Sequence, residues 1–126
     1  MLKVKFYLPV ISWTIIIFLL SIGNVSIAAP IQWISIDKVG HLTFYMLEVV
    51  FMIWALAKSN EWKKSRHKQI IVCVIIATLY GTSLEYVQAT LPHRSFDYAD
   101  MVANMVGAIL GMLFYYITAK NFLTNK

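Results

Sequence analysis

Apolar residues run in four long stretches along this chain, and the polar residues that interrupt them gather at one end of each stretch. The stretches are about Phe6–Ile22, His41–Leu56, Gln69–Gln88 and Asp100–Ile117. Each approaches the ~20 mainly apolar residues that a membrane-crossing helix requires. Gly23-Asn24, Pro30 and Gln32 break the pattern between the first two, and Pro92-His93-Arg94-Ser95 breaks it between the last two. The segment Lys58–Lys68 is short, strongly basic and aqueous in character. The pattern predicts an all-α polytopic membrane protein, a four-transmembrane-helix bundle forming one domain over residues 1–126.

Composition strengthens that reading. Hydrophobic residues make up 60% of the 126 and charged residues 13%, against roughly 45–50% and about 25% in soluble chains. The single cysteine, Cys73, lies inside an apolar run, so the chain can form no internal disulfide and carries no Cys-based metal motif. The net charge of +5 comes from basic residues beside apolar spans. That is a topology signal, and no nucleic-acid-reading motif accompanies it. Lys3, Lys5, Lys58, Lys63, Lys64, Arg66, Lys68, Lys120 and Lys126 fall on one side, with Lys38 and Arg94 on the other. Basic residues stay inside, so both termini and the Lys58–Lys68 loop are expected in the cytoplasm, with a polar site on the extracytoplasmic side. A rival reading makes the first span a signal peptide cleaved near Ala28, after Ser26-Ile27-Ala28; the other spans would keep their orientation.

Residues three, four and seven apart share a helix face. His41, Tyr45 and Glu48 form one such stripe, with Asp37 and Lys38 just before it. Gly81, Glu85 and Gln88 form a second, and Asp100, Asn104, Gly107 and Gly111 a third. Packed face to face, the three stripes would enclose one polar pocket near the outer membrane surface. Ionisable groups placed there are costly and mark a functional site by default. Plainer roles compete. Asp37 and Asp97 suit helix N-caps, Asp100 suits a first turn, and Asn104 suits a bond between helices. Trp33 and Trp62 suit the interface. Gly107 and Gly111 make a GxxxG, which signals close helix packing and leaves room for an oligomer contact. Glu85 is expected to pair with Arg94, whose guanidinium fork fits a buried carboxylate. Glu48, deeper in its span, is expected to be neutral or bonded to a polar neighbour such as Asn104.

The series Asp37-Lys38-x-Gly40-His41-x-x-Phe44-Tyr45-x-Leu47, then Gly81-x-x-x-Glu85-x-x-Gln88, then Arg94-Ser95-Phe96-Asp97-x-x-Asp100-x-x-x-Asn104-x-x-Gly107-x-x-x-Gly111 resembles the VanZ-like family of small bacterial membrane proteins. Leu42 after His41, where the family often has Phe, is a mild departure. The resemblance implies a helical bundle in a bacterial envelope, and its founding member is associated with low-level resistance to the glycopeptide teicoplanin. The motif falls on Asp37, Lys38, His41, Tyr45, Glu85, Gln88, Arg94, Asp97, Asp100 and Asn104.

Three functions compete. The first is a non-enzymatic envelope protein whose pocket binds a lipid headgroup or cell-wall precursor, with Lys38, Arg94 and His41 as donors. The second is a membrane-embedded hydrolase or transferase acting on a lipid-linked substrate. There His41 or Glu85 serves as general base or acid and Arg94 stabilises negative charge, while Asp37, Lys38, Tyr45, Glu48, Gln88, Asp97, Asp100 and Asn104 bind. In one variant Asp37, His41, Glu85, Asp97 or Asp100 holds a divalent ion. No His-x-x-x-His or comparable spacing appears, so no metal ligands are assigned and the cofactor is unknown. The third is a proton or solute path through Glu48, His41 and Glu85, which the apolar stretches Ile71–Ala77 and Ile109–Tyr116 argue against.

Overall fold

The computed structural model describes residues 3–23, 36–59 and 66–123, with side chains up to residue 119. All regular structure there is helical: a short 3-10 turn Lys3–Phe6, then α1 Leu8–Ile22, α2 Ile36–Lys58, α3 Arg66–Ala89 and α4 Tyr98–Leu123. The expected interfacial Trp33 and Trp62, the cleavage site near Ala28 and the middle of the basic loop lie outside the described residues.

Helix lengths separate α1 from the rest. At 1.5 Å per residue, α2 and α3 reach about 35 Å, enough to cross a hydrocarbon core about 30 Å thick. Among the described residues, three helices are long and apolar enough to span: Ile36–Lys58, Arg66–Ala89 and Tyr98–Ala119. With 15 residues, α1 is shorter than these. Pro9 stands in its first turn, where a missing N–H leaves no bond unmade. Gly23 ends it in an extended conformation while its amide still bonds Leu19 O.

Each helix runs opposite to the one before it, so α2 and α4 are parallel neighbours. Their seam is the tightest in the molecule. Gly107 lies against the backbone of Leu42, and a Cβ on Gly111 would stand 2.5 Å from Met46 O. The GxxxG therefore lets two backbones meet inside the chain. Both glycines are buried there. Val49, Ile53, Ile70, Cys73, Ala77, Leu84 and Ala108 complete an interior centred on α2. The outer surface is the apolar one: Ile71, Val72, Ile75, Ile76 and Leu79 of α3 and Leu113, Phe114 and Ile117 of α4 are exposed. Backbone bonding is closed within the helices, so such a surface suits lipid.

The up-and-down course gathers the ends. The C-termini of α1 and α3 and the N-termini of α2 and α4 meet at one pole. Lys3, Lys5, Lys58, Arg66 and Lys68 lie at the other. There His67 Nδ1 lies 2.7 Å from the Tyr116 hydroxyl, and the hydroxyls of Tyr7 and Ser59 are 3.2 Å apart.

Candidate functional site

The polar pole is built by α2, α3, α4 and the turn 90–97. Helix α2 begins one residue before Asp37, so Asp37 sits in its first turn rather than capping it. Asp97 is the cap of α4, its Oδ1 accepting from the amide of Ala99 at 2.7 Å. Lys38 reaches across from α2 and donates to Asp97 Oδ2 at 2.8 Å and Asp100 Oδ1 at 3.0 Å. These contacts hold the Asp97 carboxyl below its ordinary range, Lys38 first and the Ala99 amide second.

His41 sits at the centre. Its Nδ1 lies 2.8 Å from Asn104 Oδ1. An amide oxygen only accepts, so Nδ1 carries the proton there and Nε2 is left facing two carboxylates. Asp100 Oδ2 is 3.6 Å from Nε2 and Asp37 Oδ1 is 3.9 Å from it. A ring lone pair opposite two carboxylate oxygens calls for a shared proton or a cation between them. One ligand atom from each of Asp37, His41 and Asp100 lies within 4.8 Å of the others, a grouping that can hold a metal ion. Nitrogen and oxygen donors of this kind suit a hard or borderline divalent ion. The outer contacts also fit, since Asn104 orients the imidazole and Lys38 takes the other Asp100 oxygen. No single helix carries a metal spacing because Asp100 comes from α4 and its partners from α2.

Two expected partnerships are corrected. Glu85 does not pair with Arg94. Its Oε2 accepts from the amide of Asp97 at 3.3 Å, and its buried Oε1 has no partner among the described residues. Arg94 turns the other way, its Nη2 donating to Leu20 O at 3.3 Å and Gly23 O at 3.4 Å. Both partners meet the 90–97 turn, Glu85 through the Asp97 amide and the end of α1 through the Arg94 guanidinium. Glu48 is bonded to a polar neighbour as expected, but the neighbour is Thr14 rather than Asn104. Glu48 lies deeper, where Thr14 donates to Oε1 at 2.7 Å and Oε2 is buried without a partner among the described residues.

The remaining expected site residues form walls. Gln88 donates to Ser21 O at 3.1 Å, again reaching α1. Tyr45 is 2% exposed, its ring so close to α3 that a Cβ on Gly81 would lie 2.9 Å from it and 2.7 Å from Asn104 Nδ2. A cleft of about 280 Å³ opens beside the cluster, lined by Asp37, Gly40, His41, Tyr45, Gln88 and Arg94 with apolar residues of α1 and α2. Sequence reasoning missed the part played by α1. Thr14 holds Glu48, Trp13 Nε1 donates to Phe44 O at 2.9 Å, and Tyr80 donates to Thr14 O at 2.8 Å. A Trp-Thr pair inside an otherwise apolar run was the available signal.

The model of the VanZ/LLP1 family matches residues 4–119. The chain belongs to that family. It is also 36% identical over 78 residues to an uncharacterized protein of the fission yeast Schizosaccharomyces pombe. That match takes in 61% of this chain and 44% of the yeast protein, so the chain spans about half the length of this relative. No solved structure matches. Membership of the family and three helices long and apolar enough to span a bilayer are consistent with a multi-pass membrane protein.

Proposed function

We propose that this VanZ/LLP1 protein is a membrane-embedded, divalent-ion-assisted hydrolase of a lipid-linked phosphate ester or anhydride. One observation carries the reading: Asp37, His41 and Asp100, brought from two helices, present ligand atoms within 4.8 Å of one another beside a cleft. Charge supports it. Asp37, Asp97 and Asp100 outnumber Lys38 and Arg94, so a phosphate would meet a net negative site unless a cation joined it. A bound divalent ion would polarise the phosphoryl oxygen and lower the pKa of a bound water. The chain's own groups do the rest. Asn104 fixes the imidazole, and Lys38 of α2 holds Asp100 of α4. Glu85 anchors the 90–97 turn through the Asp97 amide, which makes it a positioning residue. Arg94 supplies a guanidinium fork for phosphate oxygens. Water oxygen bonds to phosphorus and the P–O bond to the leaving group breaks. The water proton passes to Asp37, which is exposed at the rim.

We propose the membrane orientation as well. The polar pole faces outward, the Lys-rich pole and both termini face the cytoplasm, and α1 with its preceding 3-10 turn forms a fourth span. The similarity to a protein of a fission yeast favours a lipid phosphate, a chemistry common to many membranes, over a cell-wall peptide. A glycopeptide phenotype such as altered teicoplanin susceptibility would then follow from a changed pool of lipid-linked precursor.

The test is phosphate release from a long-chain polyprenyl diphosphate in vesicles, with Mg²⁺ or Mn²⁺ and with EDTA. Release that needs the ion and disappears in Asp100→Asn supports the reading. Saturable lipid binding with no phosphate release under any divalent ion would reject catalysis and restore the binding role.

A further inference from the structure

We infer that the substrate's lipid tail lies in the seam between α1 and α2, and that its phosphate takes Arg94 away from the carbonyls at the end of α1. This rests on the hydrolase reading for the identity of the phosphate, but the path of the tail follows from geometry of its own. The cleft of about 280 Å³ falls near the lower limit of small-molecule sites, roughly 300 Å³, so a headgroup fits and a long tail must leave it. Its polar side carries Asp37, His41, Gln88 and Arg94; its apolar side carries Ile17 and Leu20 of α1 facing Ile36 and Phe44 of α2. Leu20 and Ile36 are each 38% exposed, which makes the apolar rim open. Deeper in the seam the route is shut by Trp13 on Phe44 O and Thr14 on Glu48. Among the described residues, the open path for a tail is sideways, between the outer halves of α1 and α2.

The outer end of α1 is also held by weak, exchangeable bonds. Ile17 is its one buried residue. Arg94 binds it through a single nitrogen, with both contacts at 3.3 Å or longer and to neutral carbonyls. A phosphate offers the guanidinium two shorter, charge-assisted bonds. Gln88, on Ser21 O, is the second tie. The two side chains that tie α1 down thus line the wall where the headgroup sits. Binding of the phosphate and release of the α1 end are one exchange.

Two measurements test this. Leu20→Trp and Ile36→Trp fill the rim without touching Asp37, His41 or Asp100. They should lower kcat/KM for a vesicle-borne long-chain polyprenyl diphosphate by about tenfold or more relative to that for isopentenyl diphosphate in solution. Equal loss on both substrates, or no loss on either, overturns the tail path. The second measurement does not depend on turnover. Spin labels on Leu19→Cys and Tyr86→Cys, both exposed positions, in a Cys73→Ser background report the distance from the end of α1 to α3. Saturation with the polyprenyl diphosphate in Ca²⁺ should shift that distance toward the one Arg94→Ala shows without lipid. Bound lipid with an unmoved distance overturns the exchange. An absence of turnover beside a clear shift would reject the hydrolase and leave the tail site standing.

Discussion

The α2–α4 seam and the α1 attachment solve the same problem with opposite chemistry. In the first, Gly107 and Gly111 remove side chains so that α4 rests on the backbone of α2. Dispersion over close backbone contact holds this stretch of the seam, beneath the Lys38–Asp100 and His41–Asn104 contacts that join the same two helices at the pole. In the second, a short helix hangs on polar side chains that reach its carbonyls: Arg94, Gln88 and Tyr80. Those bonds are individually modest and have alternative partners. The comparison separates a fixed platform, which must keep Asp100 opposite His41, from an element that can yield at its outer end.

The sharpest way to break the platform is Gly107→Leu. Its side chain has nowhere to go but into the Leu42 backbone, so folded protein should be lost in detergent, as measured by thermal unfolding and size exclusion. Gly111→Ala, where the obstacle is Met46 O, should be damaging in the same assay. Survival of Gly107→Leu with an unchanged melting profile would show that the seam is looser than described.

The next largest effect should fall on the site with the fold intact. Asp100→Asn keeps shape and an acceptor for Lys38 but removes a charge beside His41. It should reduce phosphate release by roughly two orders of magnitude, as removal of one aligned electrostatic group commonly does. Divalent-ion affinity, read by calorimetry, should fall in parallel. Ion binding that persists unaltered in Asp100→Asn would remove Asp100 from the ligand set.

Asp97 offers a milder handle. Its carboxyl is held below the ordinary value of about 3.9 by Lys38 and the Ala99 amide. The stability it adds is complete above that ordinary value and is lost as pH falls through the lowered one. Wild type and Asp97→Asn should therefore differ in melting temperature near neutral pH and converge in strong acid. Parallel curves down to the lowest pH would mean that the cap and the Lys38 contact matter little.

The smallest effect tests the attachment of α1. Thr14→Val removes the donor to Glu48 at near-constant volume and should cost about 1 kcal/mol, typical of one bond between membrane helices. Unfolding in mixed detergent measures it. A loss several times larger would place Thr14 in the platform rather than in the yielding element.

Much of this is legible in the sequence. Length and apolar content determine that Ile36–Lys58, Arg66–Ala89 and Tyr98–Ala119 are long and apolar enough to span, because hydrocarbon leaves a backbone few ways to satisfy its bonds. Helical spacing determines that His41, Glu85, Asp100 and Asn104 lie toward one pole, since groups three and four apart share a face. The role of Asp97 as a cap and of the glycines as a packing face are local properties, and both were readable. Partnerships were not. Glu85 meets the Asp97 amide and Arg94 meets α1 because the turn 90–97 folds back over the bundle, and no periodicity records which way a turn folds. The gathering of Asp37, His41 and Asp100 depends on the parallel register of α2 and α4, which Gly107 and Gly111 set through backbone contact. Sequence fixes which groups can meet at a given depth; the rotation and register of packed helices decide which ones do.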